Sequence, residues 1–215
     1  MAETGRRIDA VVLDWGGVLT VSVPTFIQDW LHRENIDREH YRATMRAWMG
    51  HDAAPDNPVF RLETGHLPVE EFERLLAAEL RTPDGLAIPP DDLLRRMFGA
   101  ARTDPEMVRL VRDLRARGVR TALLSNSWGE GYPHDLLLEL FDALVISGRV
   151  GLRKPDPRIF AHTLEVVGLP AHRCAFVDDA RVNVEGARAA GLHAHLHTDA
   201  GSTRAALDAL LGAAP

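Results

Sequence analysis

The sequence has few of the features that mark secreted, membrane or nucleic-acid-binding proteins. Its single cysteine, Cys174, excludes an internal disulfide. Cys174 stands in the apolar run Cys-Ala-Phe-Val, which predicts a buried, reduced thiol in a cytoplasmic protein. No apolar run approaches the roughly 20 residues of a membrane-spanning helix, and no segment of signal-peptide type precedes the first predicted strand. We therefore expect no membrane partner.

Basic residues do not exceed acidic ones. The 25 lysines and arginines are outnumbered by 31 aspartates and glutamates, so the formal net charge is −6. This balance argues against a basic surface for nucleic acid, and we expect no nucleic-acid partner. With 46% hydrophobic and 26% charged residues among 215, the composition is that of an ordinary globular protein with room for one core domain and an insertion.

What the sequence does contain is an alternation of strand-length apolar runs and helix-length amphipathic segments, from about residue 105 onward. Such alternation is typical of βαβ units, so it predicts an α/β fold, a doubly wound, Rossmann-like parallel sheet with helices on both faces. Residues 8–13 form an opening strand of the same sheet. The other predicted strands are 119–125, 143–147, 174–178 and 192–196, and the predicted helices are 105–117, 156–167, 181–190 and 202–211.

Residues 21–103 interrupt this alternation. They contain helical patterns separated by prolines, and no strand-like run lies among them. We predict that residues 1–20 and 104–215 form the α/β core domain, and that residues 21–103 form a small α-helical cap inserted after the first strand. Such a cap stands over the carboxyl ends of the strands, where ligands bind in open α/β folds. Its predicted helices are 25–33, 38–49, 69–80 and 91–101.

Polar residues follow the first two predicted strands of the core. Asp14 stands between an apolar run and two glycines, where a carboxylate is open to a ligand, although an aspartate that caps a turn has the same appearance. Ser125 and Asn126 end the second strand with a hydroxyl and an amide, which can donate to phosphate oxygens. A Ser-Asn-Ser trio is also common at helix caps. Taken alone, neither pattern decides between ligand binding and a structural role.

Charged residues follow the later strands. Pro155 restricts Lys154 to an extended backbone, so this lysine can present a fixed positive charge to a cleft, whereas a lone loop lysine is usually solvated. Asp178 and Asp179 are adjacent acids at a strand end, and they repel each other unless a cation relieves the repulsion. Oxygen ligands of this kind suit Mg²⁺. The structural alternative is one acid that caps a helix beside a second that is solvated.

In chain order these groups are an acid, a hydroxyl–amide pair, a lysine and an acid pair. Here the sequence resembles the haloacid dehalogenase-like hydrolase superfamily, whose four motifs occur in this order. The resemblance covers the whole chain, and the later motifs are also similar to the N-terminal phosphatase domain of soluble epoxide hydrolases. The motifs read Leu-Asp-Trp-Gly-Gly-Val-Leu, Leu-Leu-Ser-Asn-Ser, Arg-Lys-Pro-Asp-Pro and Phe-Val-Asp-Asp-Ala-Arg-Val-Asn.

The resemblance implies a Mg²⁺-dependent phosphatase of small organic phosphates that acts through an aspartyl-phosphate. It implies that Asp14 is the nucleophile. It also implies that Mg²⁺ is held by the Asp14 carboxylate, the Gly16 backbone carbonyl and Asp179, with Asp178 acting through water. Asn183 is then the residue that orients the acid pair.

The same resemblance implies a phosphate site on the lysine side of the cluster. Ser125 and Asn126 bind the transferring phosphoryl group. Lys154 neutralises charge on the nucleophile and on the phosphoryl oxygens.

The sequence departs from the family pattern at Gly16, where the phosphatases usually have a second aspartate that protonates the leaving group. Glycine supplies a backbone carbonyl but no proton. General acid–base help is worth about 10²–10⁴-fold. Three consequences stay open: substrates with good leaving groups, a replacement group such as His51 or His66, or loss of catalysis.

Two other functions compete with the phosphatase. A 2-haloacid dehalogenase also lacks the second acid, but its chemistry needs no metal and its resemblance is weaker at the fourth motif. A non-catalytic or impaired phosphate-binding module would follow if catalysis is lost. The expected partner is a small-molecule phosphate, and the chain is expected to be a monomer or homodimer.

Two smaller features are more ambiguous. Three alternating histidines, His193, His195 and His197, share one face of the last predicted strand, where we expect solvated imidazoles at a sheet edge or strand end rather than a metal site. Trp128 either walls the substrate pocket or packs beneath the cap.

Overall fold

The structure is a computed structural model that describes residues 7–50, 52–129 and 131–212. The strands among those residues are β1 (Ala10–Leu13), β2 (Arg120–Ser125), β3 (Ala143–Ile146), β4 (Cys174–Asp178) and β5 (His193–Leu196). They form a five-stranded parallel sheet with the order β3-β2-β1-β4-β5. The strand order runs outward from β1 in both directions, which is the doubly wound arrangement expected from the sequence.

Strand β1 lies at the centre of the sheet and is buried on both faces. Its side chains alternate between two apolar clusters, with Val11 and Leu13 in one and Ala10 and Val12 in the other. Leu13 is in register with Leu123 of β2 and with Val177 of β4. The three strands therefore end together, and the residues that follow them meet at one edge of the sheet.

Helices cover both faces of the sheet. They are α6 (Pro105–Ala116), α7 (His134–Leu140), α8 (Ser147–Val150), α9 (Pro157–Val167), α10 (Arg181–Ala189) and α11 (Ala200–Leu211). On one face α6, α7 and α11 pack on the cluster that contains Leu13, and on the other α9 and α10 pack on the cluster that contains Val12. Side-chain caps start several of these helices; for example, Asp104 accepts hydrogen bonds from the backbone N–H groups of Glu106 and Met107.

Between β1 and α6 the chain forms a helical insertion with its own apolar cluster, centred on the buried side chains of Trp30 and Phe72. Both ends of the insertion leave the core at one place, because Thr20 forms an antiparallel bridge with Thr103. The inserted helices are α1 (Val23–Arg33), α2 (Arg38–Met49), α3 (Pro58–Glu63), α4 (Val69–Glu79) and α5 (Leu93–Phe98). None of the helices in the described part of the chain is long and apolar enough to cross a membrane.

The predicted fold class is confirmed, and the predicted elements differ from the structure mainly where they are short. Helices α3, α7 and α8 have 6, 7 and 4 residues and were not predicted, since so few residues do not establish a helical repeat. The segment 91–101 is helical only over Leu93–Phe98. Cys174 is buried, as its apolar surroundings predicted. The division into core and cap domains stays a prediction.

Candidate active site

The polar residues predicted at the strand ends lie at one edge of the sheet. Asp14 follows β1, Ser125 ends β2 and Asp178 ends β4, and these three strands are neighbours. The Asp14 backbone N–H donates to the Val177 carbonyl at 2.9 Å, so the ladder between the two central strands continues to the nucleophile candidate. Asp14 is 9% exposed, whereas Ser125 and Asp178 are almost fully buried.

The glycine loop after Asp14 is a tight turn. The Trp15 carbonyl lies 2.9 Å from the backbone nitrogen of Leu19, which donates to it, and the backbone N–H of Gly17 donates to the Thr20 hydroxyl at 3.0 Å. Gly17 has φ +77°, and a Cβ built there would lie 2.2 Å from a carboxylate oxygen of Asp179. Glycine is therefore required at position 17, because it allows both the left-handed backbone and the close approach of Asp179.

Lys154 lies in the middle of the cluster, although it comes from the loop before α9. Its side chain is 1% exposed, and its Nζ lies 2.9 Å from Asp14 Oδ1 and 2.7 Å from Asp178 Oδ2. The ammonium also donates to the Leu124 carbonyl at 2.9 Å. The ammonium thus contacts one oxygen at the end of each of three strands, and these contacts fix the position of the lysine side chain.

The acid pair divides into a buried and an exposed member. Asp178 Oδ1 accepts a hydrogen bond from the backbone N–H of Ala180 at 2.8 Å, and both of its oxygens accept from the Asn183 amide, at 3.1 and 3.2 Å. Asp178 therefore has partners on both oxygens, including Lys154. Asp179 instead lies against Gly17 on the open side of the cluster.

The site contains more acidic than basic groups, and this excess shifts their pKa values. Burial raises the pKa of Asp14 to about 7 against the opposing attraction of Lys154. Burial and the charge of Asp178 also raise the pKa of Asp179. Burial alone would lower the pKa of Lys154, but the neighbouring carboxylates of Asp14 and Asp178 outweigh it and raise the pKa. Three carboxylates around one ammonium leave a net charge of about −2 when all are ionised.

This donor set fits a small divalent cation. Asp14, Asp178 and Asp179 each offer a carboxylate oxygen, and the three oxygens lie within 4.8 Å of one another. Carboxylate oxygens in a cluster with an excess of two negative charges are the environment that Mg²⁺ prefers. The residues therefore fit the metal that the sequence predicted.

The predicted phosphate-binding residues make contacts within the protein. The Ser125 hydroxyl lies 2.9 Å from the Tyr132 hydroxyl. The Asn126 side chain accepts from the Lys154 backbone N–H at 2.8 Å and donates to the Lys154 carbonyl at 3.1 Å. Asn126 thus fixes the lysine backbone, a contact that the sequence did not predict. Tyr132, whose ring packs edge-on against Trp15, was also missed.

Glu63 was missed altogether. It is the last residue of α3, is 3% exposed, and accepts hydrogen bonds from Asn126, Trp128 and Arg153. A single glutamate in a short helix gives no signal in one sequence, because its partners come from segments 63 to 90 residues further along the chain.

The surroundings of Trp128 and of one candidate for the missing acid are defined in the structure. Trp128 packs beneath the inserted helices, with its ring against Phe72 and Phe98. The His66 ring is exposed and its Nδ1 lies 2.8 Å from the Thr64 hydroxyl. The other candidate, His51, lies outside the described residues.

His193 and His195 lie on β5, at the edge of the sheet, and His197 directly follows that strand. All three histidines are half-buried. His197 Nδ1 lies 2.8 Å from the Thr203 hydroxyl, and His193 Nε2 lies 3.1 Å from the His172 carbonyl oxygen. Burial lowers the pKa of His195 and of His197. The expected position at the sheet edge is correct. The expectation of solvated rings fails for His195 and His197, because α10 and α11 pack along this strand.

A doubly wound parallel sheet with an acidic site at its carboxyl edge and a helical insertion after the first strand defines the class of protein. The family model described as haloacid dehalogenase-like hydrolase matches residues 8–191, and the chain belongs to that family. The resemblance stated from the four motifs is thereby confirmed.

Several named proteins are similar to this chain. It is 31% identical over 204 residues to Phosphatase MT3486 of Mycobacterium tuberculosis, and the match covers 92% of this chain and 90% of that protein. It is 31% identical over 219 residues to mouse Acyl-CoA dehydrogenase family member 10 and 24% identical over 221 residues to pig Bifunctional epoxide hydrolase 2. These matches cover 97% and 94% of this chain but only 20% and 39% of those proteins.

Among solved structures, a HAD family enzyme from Bacteroides thetaiotaomicron, crystallised with magnesium and inorganic phosphate, has the same fold. Its TM-score is 0.61 at 19% identity, and the match covers 89% of this chain and 94% of that one. At this identity the likeness shows the fold alone.

Proposed function

We propose that this protein is a Mg²⁺-dependent phosphatase of small organic phosphates that acts through an aspartyl-phosphate. The observation that carries the proposal is the cluster of three carboxylates around one ammonium, in which Asp14 lies 2.9 Å from Lys154 Nζ and close to two further acids. Family membership supports a hydrolase, and the similarity to Phosphatase MT3486 supports phosphoryl transfer over other hydrolytic chemistry.

Asp14 is the nucleophile in this proposal. Its carboxylate attacks phosphorus, the bond from phosphorus to the leaving oxygen breaks, and water then cleaves the acyl phosphate. Lys154 enters the reaction protonated, since Asp14 and Asp178 raise its pKa. It orients one Asp14 oxygen and leaves the other free to attack, and its charge stabilises the negative charge that spreads over the phosphoryl oxygens.

The metal ligands in this proposal are Asp14, the Gly16 carbonyl and Asp179, with Asp178 acting through water because Lys154 and Asn183 already occupy its oxygens. When bound, Mg²⁺ supplies positive charge to a site that otherwise carries an excess of about two negative charges. Asn183 keeps the Asp178 carboxylate oriented for both partners.

Ser125 is the side chain that we assign to the phosphoryl oxygens, with its hydroxyl held by Tyr132. Asn126 contributes by fixing the Lys154 backbone, as the two hydrogen bonds between them support. The helical insertion acts as the cap that closes over the substrate. Lacking an acid at position 16, the enzyme selects phosphates whose leaving groups need little protonation, such as anomeric, acyl or aryl phosphates.

The buried free thiol of Cys174 supports a cytoplasmic location. A monomer and a homodimer both remain compatible with the proposal.

The test is hydrolysis of p-nitrophenyl phosphate and acetyl phosphate by the wild type and by Asp14→Asn, each with Mg²⁺ and with EDTA. We expect turnover that requires Mg²⁺ and is abolished in the variant. Undiminished turnover in Asp14→Asn would refute the nucleophile assignment. Absence of turnover in every sample would refute the phosphatase, and chloride release from 2-chloropropionate would then test dehalogenation.

A further inference from the structure

We propose that Glu63 is a positioning residue that connects the helical insertion to the catalytic lysine, and through it to Asp14. The proposal rests on the proposed function for its kinetic consequence, but its structural content concerns contacts between described residues. Glu63 belongs to the insertion, while the side chains that it contacts belong to two loops of the α/β core.

The Glu63 carboxylate is shared among three donors. One oxygen accepts from the Trp128 indole N–H at 2.9 Å, and the other accepts from Arg153 Nε at 2.5 Å and from the Asn126 amide at 3.3 Å. The carboxylate side chain is 4% exposed, and the Arg153 side chain is 21% exposed. A buried charge with three donors is well satisfied, so its position is fixed by all three.

Asn126 connects Glu63 to the backbone of Lys154. Its amide group forms a pair of hydrogen bonds with the backbone of Lys154, at 2.8 Å to the N–H and 3.1 Å to the carbonyl. The same amide nitrogen also donates to Glu63. Removal of the Glu63 carboxylate therefore frees the amide that aligns the lysine backbone.

Arg153 gives the lysine loop a second connection to Glu63. Because Arg153 precedes Lys154 in the chain, its ion pair with Glu63 and its stacking on the Phe60 ring at 3.8 Å restrain the same peptide segment. The Lys154 ammonium lies at the end of this connected path, 2.9 Å from Asp14 Oδ1. The path from the insertion to the nucleophile is therefore continuous in hydrogen bonds and covalent bonds.

The insertion remains attached to the core when the carboxylate is altered. The Ser147 hydroxyl donates to the Glu63 backbone carbonyl, which a side-chain substitution leaves in place. Gly65 approaches Gly148 so closely that a Cβ there would lie 2.4 Å from the Gly148 carbonyl oxygen. Glu63→Gln thus changes the alignment of the lysine loop without removing the backbone contact of α3 with α8.

The matched control is Glu73→Gln. Glu73 is also a buried glutamate of the insertion, 8% exposed, and it accepts from the backbone N–H of Leu94 at 2.9 Å within the insertion itself. Both variants remove one buried negative charge and preserve side-chain size. Only Glu63 is connected to Lys154.

The experiment compares the wild type, Glu63→Gln and Glu73→Gln by p-nitrophenyl phosphate kinetics with Mg²⁺ and by two-dimensional ¹⁵N NMR. For Glu63→Gln we expect kcat to fall about tenfold or more, with KM changed by less than about threefold, since a misplaced catalytic group lowers turnover more than binding. We also expect the Trp128 indole and Lys154 amide resonances to shift. For Glu73→Gln we expect wild-type kinetics and an unshifted Lys154 amide.

A Lys154 amide that is unmoved in Glu63→Gln, or moved equally in Glu73→Gln, would overturn the proposal. If the wild type shows no Mg²⁺-dependent turnover, the phosphatase assignment fails separately, and the Lys154 resonance still decides whether Glu63 positions the lysine. If kcat falls equally in both variants, Glu63 has only the structural role of any buried glutamate.

Discussion

An aspartate at position 16 should convert this protein into a better catalyst for poor leaving groups. A Cβ built on Gly16 meets only Val23 Cγ2, at an ordinary contact distance of 3.6 Å, and Gly16 does not have a left-handed backbone. The fold therefore accepts a side chain at position 16, which it does not at position 17. The absence of an acid is a chemical feature of the site and not a requirement of the turn.

The size of the expected gain follows from what a general acid contributes. A well-placed acid is worth about 10²–10⁴-fold, or roughly 3–5 kcal/mol of activation free energy. The introduced carboxyl lacks an evolved surrounding and adds a further negative charge beside three carboxylates. For these two reasons we expect kcat/KM for simple alkyl phosphates to rise only about tenfold, which is below the contribution of an evolved general acid. We expect kcat/KM for p-nitrophenyl phosphate to change by less than about threefold.

The assay is kcat/KM for a series of phosphomonoesters that runs from nitrophenyl to phenyl to alkyl leaving groups. For Gly16→Asp, the logarithm of kcat/KM should depend less steeply on the pKa of the leaving group than for the wild type. Gly16→Asn is the control, because its amide has nearly the same shape and no acidic proton. An equal dependence in the two variants would refute the reasoning, and so would a loss of folded protein in both.

Three further changes test the charge balance and the turn. Asp14→Asn should stabilise the metal-free protein, and by more at high pH than at low pH. The pKa of Asp14 is about 7 in the folded protein against 3.8 for a free aspartate, so the wild type loses stability as pH rises through 7. The loss amounts to about 3 kcal/mol of unfolding free energy between pH 5 and 8. Urea titrations in EDTA at both pH values measure the difference in unfolding free energy between wild type and variant. The same difference at both pH values would contradict the raised pKa of Asp14. Lys154→Met should abolish turnover and lower the free energy of unfolding by about 3–5 kcal/mol, since two buried carboxylates lose their cation; folded protein with wild-type turnover would contradict this. Gly17→Ala should weaken Mg²⁺ binding, measured by calorimetry, because its Cβ displaces Asp179; wild-type affinity would show that Asp179 is not a ligand.

The sheet could be predicted from the sequence because each strand is a short apolar run bounded by helical segments of adequate length. Strand β4 has the predicted bounds, and β2 and β5 begin one residue later than predicted. The helices that were missed have at most 7 residues, and they form through contacts with the rest of the fold. Local pattern thus predicts the elements whose own amphipathic face is large enough to direct their packing.

The site could be predicted in part, for a different reason. Because parallel strands end at one edge, residues at strand ends such as Asp14 and Asp178 are expected to meet, and they do lie in one cluster. The position of a residue at a strand end does not predict which groups its side chain contacts. Asn126 has the chemistry of a phosphate ligand, yet its amide faces the Lys154 backbone, because that peptide lies beside β2 and offers both a donor and an acceptor. The sequence pattern predicts where a residue lies along a strand, whereas its hydrogen-bond partners depend on segments that are distant in the sequence.

The electrostatics of the cluster argue that its residues serve chemistry more than stability. Burial opposes ionisation of Asp14, and Lys154 offsets only part of the cost of three neighbouring carboxylates. Replacing such a buried ionic group with apolar side chains is often neutral or stabilising. A fold selected for stability alone would gain by doing so. The cluster, with its surplus of negative charge facing the open side at Asp179, is instead suited to bind a cation. Binding of a cation there would offset the stability that the ionised Asp14 costs.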